Sequence, residues 1–375
     1  MKRESTAPKI QNISLDKSIE LTNKYTNEPI KILLKTDGEK IIGGKFEGEI
    51  DVFKFLKSPY VEKLKPNNSE VINDRNLPYR VHFRYLIVKT HEKLMENEIE
   101  IPKRAVYLRT ILLEIERIYS HFEIIINLAK HLSYPVLHSL TSQAYALAYS
   151  ISDLFNNNSD GVIFIQIGGT ADDFDDKKKK IILNLVLKIE NLASKIYRKI
   201  KRSAIIKDAL CDTGFITREN AKKLALIGPI ARSSGITYDI RKSDPYAAYS
   251  DLNFTIPVYD TCDLYGSVMV RLDEIFQSIY MIKQLIDRLP SGEHFNSPPD
   301  YKLPSNNALT RVESPFGEFH LFSISKSRTL DEKPRAFELT SPFKMNGQGL
   351  LARLVGDELE NIPLIIAEFS NGYIL

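Results

Sequence analysis

The sequence predicts a predominantly helical α+β fold, and three patterns predict it. Two long segments repeat their apolar residues at three- and four-residue steps, and both ends of the chain alternate apolar with polar residues. An apolar content of 43% in 375 residues is enough to bury a large core without disulfides or structural metal.

Residues 1 to about 60 read as short strands. ILLKTDGEKIIGGKFEGEI alternates about a Thr36-Asp-Gly-Glu turn, and the polar stretch KLKPNNSEVINDRN follows as a linker. This divides the chain into an N-terminal β region with its linker, 1–65, and a main domain, 66–375. Helical patterning runs from about 80 to 205. Its clearest stretch places Ile182, Leu185, Val186, Ile189, Leu192, Ala193, Ile196 and Ile200 on one face. The charge run DDFDDKKKK at 172–180 reads as its solvated start. Residues 206 to 262, rich in Gly, Pro, Ser and Asp, read as irregular. A second long helix, from about Ser267 to Leu289, carries Val268, Leu272, Ile275, Ile279, Ile282 and Ile286 and stops at Pro290-Ser-Gly. From about 311 onward, HLFSIS and IPLIIAEF read as strands around a short helix at NGQGLLARLVG.

Charge and cysteine usage narrow the function classes. A net charge of +3 with both signs mixed is far from the balance of a nucleic-acid binder, so no nucleic acid is expected. The two cysteines, Cys211 and Cys262, are too far apart for one loop to grip a metal, and so few thiols suit a reducing cytoplasm. No metal site is therefore expected on this chain. No apolar run reaches the roughly 20 residues of a membrane span, and the opening MKRESTAPKIQ lacks the core of a signal peptide.

In YLRTILLEIERIYSHFEIIINL, the residues Glu114, Arg117 and His121 share one helical stripe. Taken alone, the segment reads as a salt-bridged surface face. Leu113, Ile118, Phe122 and Ile125 around it raise a second reading, a buried polar network facing another helix or subunit. The centre adds an ordered loop with ion pairs, Arg232-Ser-Ser-Gly-Ile-Thr-Tyr238-Asp239-Ile-Arg241-Lys, then Pro245-Tyr246 and Phe254 to Val258. Asp263, Tyr265, Arg271, Glu274 and Ser278 lead into the second long helix.

In this order, and with Pro102 to Tyr107, Gly168-Gly169, Val312 to Glu318 and Asn346 to Leu351 in support, these segments resemble one family across roughly residues 98 to 368. It comprises the large subunit of membrane-bound nickel–iron hydrogenases and the related quinone-site (D) subunit of NADH:quinone oxidoreductase, complex I. IGPIARSSGI and DPYAAY look closer to the energy-converting hydrogenase branch. The resemblance implies a hydrogenase-large-subunit-like helical bundle with a small N-terminal β layer and C-terminal strands. It also implies a structural network of Glu114, Arg117, His121, Arg232, Asp239, Arg241, Asp263, Arg271 and Glu274.

The chain departs from the family pattern in two places. Hydrogenases of this family hang nickel and iron on two Cys-x-x-Cys pairs. The matching segments here, NDRNLPYRVHFRYLIVKTHEKL and IIAEFSNGYIL, contain no cysteine, so the resemblance implies a nickel-free chain rather than an active hydrogenase. In the complex I branch, a histidine in an N-terminal β turn and a tyrosine after it contact quinone. Here that turn is read at Gly43 to Gly48 without a histidine, and EGEIDVFKFLKSP replaces the tyrosine segment. Near the corresponding cavity stand Tyr79, His82, Arg84, Tyr85, His91 and Glu92. Of these, His82, Tyr85, His91 and Glu92 are the catalytic candidates, because phenol, imidazole and carboxyl groups can donate to a quinone carbonyl or move protons; ordinary core or interface roles are the alternative. The resemblance implies an oxidoreductase subunit with no cofactor of its own, docked to a small iron–sulfur subunit that carries the cluster. Electron exchange with a quinone-like acceptor would occur at their interface, and other subunits would hold the complex peripherally on the inner face of the cell membrane. The alternative is a redox-inactive structural scaffold of such a complex.

Overall fold

The computed structural model describes residues 17–23, 29–48, 51, 78–95, 99–155, 164–297, 305–325, 336–369 and 373–374. Strands β1 (Lys17–Asn23), β2 (Pro29–Thr36) and β3 (Ile41–Glu47) form an antiparallel meander. Alternation along β2 buries Ile30, Ile32 and Leu34 on one face. The β2–β3 turn forms where the sequence predicts it. Asp37 Oδ1 accepts from the amides of Glu39 and Lys40 at 3.0 and 2.7 Å, and Gly38 takes φ +109°. Gly43 and Gly44, read from the sequence as a turn, instead lie inside β3 opposite Lys35 and Leu34. A Cβ on Gly44 would come within 2.8 Å of Leu34 and 2.9 Å of Leu351, so close packing requires the glycine there.

Helices α1 (Arg80–Leu94), α2 (Lys103–His131) and α3 (Pro135–Asp153) come next. A small hairpin of β4 (Ile165–Gln166) and β5 (Gly169–Thr170) leads to α4 (Asp176–Arg202). The Asp175 carboxylate caps α4 by accepting from the Lys178 amide at 2.6 Å, and Lys178 and Lys179 pair with Asp172 and Asp176; the 172–180 charge run is a helix start. α4 buries Ile182, Val186, Ile189, Ala193, Ile196 and Ile200. The segment expected to be irregular holds short helices α5 (Ala204–Leu210), α6 (Arg218–Lys223), α7 (Gly228–Ser233) and α8 (Ile240–Ser243). α9 (Leu264–Asp287) starts ahead of Ser267 because Asp263 Oδ1 accepts from the Gly266 amide at 2.8 Å. Helices α2, α3, α4 and α9 close a ring, in which α2 and α4 each pack on both α3 and α9.

Strands β6 (Asn306–Ser314), β7 (Gly317–Ser325) and β8 (Ala336–Thr340) form an antiparallel sheet on which α1 packs. HLFSIS lies in β7 as expected, and the NGQGLLARL segment lies in α10 (Pro342–Leu354). IPLIIAEF is not a strand: it forms α11 (Ile362–Ala367) and the turn after it. Pro363 suits a helical first turn, and Ile362, Leu364, Ile365, Ile366 and Ala367 are all buried, so the run is contiguous rather than alternating. β9 (Tyr373–Ile374) pairs with β1, giving the N-terminal sheet the order β3-β2-β1-β9.

Candidate functional site

The site grows from α2, which is buried on nearly all sides although it carries five Arg, Glu or His residues between Arg109 and His121: Arg109, Glu114, Glu116, Arg117 and His121. Glu114 and Arg117 are fully buried and His121 is 1% exposed, so the surface-face reading of this stripe is overturned. The reason is that its partners come from distant segments. Glu114 accepts from Tyr249 Oη at 2.5 Å and Ser278 Oγ at 2.6 Å and faces both Arg117 and Arg241. Burial alone would push the Glu114 carboxyl up, but the two guanidiniums and the two hydroxyls outweigh it and bring it to about 2. Arg117 also donates to the carbonyls of Ser314 and Glu313 at 3.0 and 2.6 Å.

α8 and α7 complete this centre. Asp239 caps α8 and holds Arg241 through two bonds of 3.0 and 2.7 Å. Arg232, the last-turn cation of α7, reaches Glu313 at 2.9 Å, Glu274 at 2.7 Å and Asp239 at 3.4 Å. α7 can bring it there because Gly228 opens the helix at φ +66° against the β6–β7 turn; a Cβ would lie 2.2 Å from the Phe316 carbonyl oxygen. Glu274 also meets His121 Nε2 at 2.8 Å. Burial brings the His121 imidazole down to about 4 despite that carboxylate. Glu313 is the exception among the carboxylates: burial, then the neighbouring Asp239, push it up to about 7.

A second cluster stands beside the first. Glu368 lies between Arg271, at 2.9 Å, and Arg353, at 3.0 Å. Arg353 also donates to Gly214 O, Ser233 Oγ and Ser267 Oγ. Arg271 donates to Ser267 O, yet its Nε and Nη2 are buried and have no hydrogen-bond partner among the described residues. Its charge is felt at His121 and at Tyr79. Tyr79 precedes α1 in a left-handed conformation, φ 52°, with its ring stacked on Phe343 and Phe316. Orphaned donors on a buried cation are costly.

The sequence-predicted candidates divide along α1. His82 joins the first cluster: its Nδ1 meets Glu116 at 2.6 Å and its Nε2 meets Arg117 Nη2 at 3.4 Å. Arginine cannot accept, so Nε2 is the acceptor and Nδ1 carries the proton. Burial lowers the His82 imidazole against the pull of Glu116. Glu116, which the sequence reading passed over, also takes the amides of Val81 and His82 at 3.0 and 2.8 Å, capping a helix that has no side-chain cap of its own. Tyr85 packs against the Tyr246 ring, and burial pushes its phenol far up. Arg84 Nε donates to Ile165 O at 2.9 Å. His91 Nδ1 meets Ile87 O at 2.8 Å, and burial lowers its imidazole. Glu92 takes two bonds from Arg109, at 3.0 and 2.6 Å, and the Gly168 amide at 3.0 Å, so it fixes the Gly168-Gly169 hairpin. Ten residues of helix, about 15 Å, separate His82 from Glu92, and the four candidates do not converge. Asp263 caps α9 and accepts from the Asp212 amide at 3.0 Å. Most of the Glu47 to Pro59 segment and all of 73–77 lie outside the described residues.

Glu313, Arg353 and Glu368 also escaped the sequence reading. Arg353 and Glu368 are each a single charge within an apolar run, GLLARL and IIAEF, and that isolation is the available signal; Glu313, two residues from Arg311 in LTRVESPF, carries no such signal.

Comparison with known proteins agrees with this architecture. Residues 161–338 match the family described as the respiratory-chain NADH dehydrogenase 49 kDa subunit, a span that contains Arg232, Asp239, Arg241, Arg271, Glu274 and Glu313. The chain is 25% identical over 350 residues to the D subunit of the F(420)H(2) dehydrogenase of Methanosarcina mazei, covering 90% of each. It is 26% identical to the D 1 subunit of the NADH-quinone oxidoreductase of Chloroherpeton thalassium over 92% of this chain and 83% of that one. Against the D subunit of the NADH-quinone oxidoreductase of Desulfotalea psychrophila it is 31% identical over 61% of this chain and 62% of the other. The fold is that of a chain in the structure of the membrane-bound sulfane sulfur reductase, an archaeal respiratory membrane complex, with TM-score 0.82, 24% identity and coverage of 94% and 96%. On the ordered motifs, the fold and these matches together, the chain is similar to the 49 kDa, or D, subunit of respiratory-chain NADH dehydrogenase, with the family match spanning residues 161–338.

Proposed function

We propose that this chain is a non-autonomous oxidoreductase subunit of a membrane-associated respiratory complex. With an iron–sulfur subunit, it forms the site where electrons pass to or from a quinone-like acceptor. The observation that carries this reading is the pair of orphaned donors on Arg271, buried beside Tyr79, His121 and Glu368 in a chain similar to the D subunits of such complexes. A quinone supplies two carbonyl oxygens and accepts electrons with protons, and the Arg271 donors fit one such oxygen. In this reading Arg271 binds and orients the acceptor, Glu368 and Arg353 fix the Arg271 side chain, and the aromatic wall of Tyr79, Phe316 and Phe343 excludes water. No described helix is long and apolar enough to cross a membrane, so attachment on the inner face of the membrane would run through partner subunits.

In the purified complex, Arg271→Gln is expected to lower quinone reductase turnover or raise its KM by at least about 10-fold, the scale of a lost charged hydrogen bond. Assembly, followed by subunit composition, should persist. Unchanged kinetics in the assembled variant would overturn the assignment.

A second reading, a redox-inactive scaffold, draws on a specific observation: His82, His91 and Glu92 each direct polar atoms at groups of this chain. An assembled complex with no quinone reductase activity would favour it.

A further inference from the structure

The last two turns of α4 carry a charge pattern that neither the fold nor the proposed electron transfer uses. α4 holds ten Lys and Arg against two acids, Asp176 and Glu190, a net of +8 on one helix of a chain whose total is +3. Its buried apolar stripe packs on α3 and α9, and the cations lie outside that stripe. Near its C-terminus they surround a cleft of about 450 Å³ lined by Tyr134, Lys195, Arg198, Lys199, Arg202 and Ser203. No carboxylate lines it, and among the described residues none of the four cations has an ion-pair partner.

The helix dipole accounts for part of this pattern. Cations complement the carbonyl end of a helix, but that effect fades beyond the last turn. It covers Lys199 and Arg202 and leaves Lys195 and Arg198, one to two turns earlier, without a local reason to sit beside them. Lys199 lies over the Tyr134 ring at 5.5 Å, which fixes it at the rim. The Ser203 oxygen is occupied in capping α5, accepting from the Ile206 amide at 3.3 Å, which leaves its hydroxyl hydrogen free to donate. Four cations converging on one concavity without a counter-charge repel one another until an anion joins them, and arginine forks match phosphate oxygens bidentately.

We propose that this cleft is a binding site for a ligand bearing two or more phosphate charges, held by Arg198 and Arg202 with Lys195 and Lys199 completing the charge. The volume lies within the range of small-ligand sites and fits a diphosphate-sized group, whether free in solution or presented on a lipid headgroup.

Titration of the full-length chain with inorganic pyrophosphate tests this, with vesicles of cardiolipin, whose headgroup carries two phosphates, in phosphatidylcholine, against phosphatidylcholine alone, as the lipid arm. Saturable binding in at least one arm is expected, weakened at least 10-fold in Arg198→Gln/Arg202→Gln. The same charge removed elsewhere on α4, in Lys180→Gln/Lys188→Gln, should change it less than 2-fold. Pyrophosphate binding identifies a soluble ligand, and vesicle binding alone identifies a lipid source. No binding in either arm, or equal loss in both double variants, would overturn the site.

Discussion

Three guanidiniums, those of Arg117, Arg232 and Arg241, share the buried centre with four carboxylates, Glu114, Asp239, Glu274 and Glu313. With His121 neutral, this local count leaves one negative charge in excess, and a proton on Glu313 removes it. Glu313 is the natural holder because burial and Asp239 raise it to about 7, whereas Glu114 is brought to about 2. Between its ordinary value of 4.5 and about 7, the folded chain therefore binds a proton that the unfolded chain has released. Stability from this group falls as pH rises through that window and is level above it. His121 acts oppositely: the folded chain keeps it neutral down to about 4 against an ordinary 6.5, so its contribution is lost as pH falls through 6.5 toward 4. Glu313→Gln removes only the first term. Its stability relative to the parent, from denaturation at pH 5 and pH 8, should improve by about 1–3 kcal/mol at the higher pH; a pH-independent difference would show that Glu313 is ionised throughout. Glu114→Ala would leave Arg117 and Arg241 buried without their shared carboxylate, at a cost of about 3–5 kcal/mol in urea unfolding.

At the scale of elements, the long helices were readable because their periodicity is local. The stripe along α4 and the heptad-like steps of α9 each lie within one continuous segment. α11 was misread because a short apolar run buried on all sides has no period to detect. The ion partners were illegible for a different reason: Arg117 meets Ser314 across 197 positions and His121 meets Glu274 across 153, and no local pattern encodes such pairings. The resemblance supplied most of the network's members but not the partner of each. α7 shows how a single backbone choice sets one of these pairings. Gly228→Ala meets both a left-handed φ of +66° and the Phe316 carbonyl at 2.2 Å, whereas Gly235, also left-handed at φ +76°, has only ordinary contacts beginning at 3.5 Å. Thermal or urea unfolding should show Gly228→Ala losing about 2 kcal/mol or more and Gly235→Ala about 1. Equal losses would mean that backbone conformation alone, and not the close approach of α7 to the hairpin, decides the cost.

Across the whole molecule, the two ends of the chain hold one another. β1 takes β9 as its outer partner. The Ile41 amide donates to Asp357 O at 2.9 Å, the Gly356 amide to Ile41 O at 2.7 Å and the Leu359 amide to Glu39 O at 3.1 Å. These bonds tie the N-terminal sheet to the segment between α10, which carries Arg353, and α11, which ends beside Glu368. The sheet is thus mechanically linked to the cluster that holds Arg271. Gly44 belongs to that link: a Cβ there would meet Leu351 of α10 at 2.9 Å and Leu34 at 2.8 Å. In Gly44→Val the added branch overlaps both leucines and must push β3 away from α10, while α2, α3, α4 and α9 keep all their contacts with one another. Native-state hydrogen exchange should then show amides of β2 and β3 exchanging at least about 10-fold faster, a local loss of roughly 1.4 kcal/mol, with amides of α2 and α9 unchanged. Equal acceleration in sheet and bundle would mean that the two open only together, and that the sheet is part of the same cooperative unit as the ionic centre.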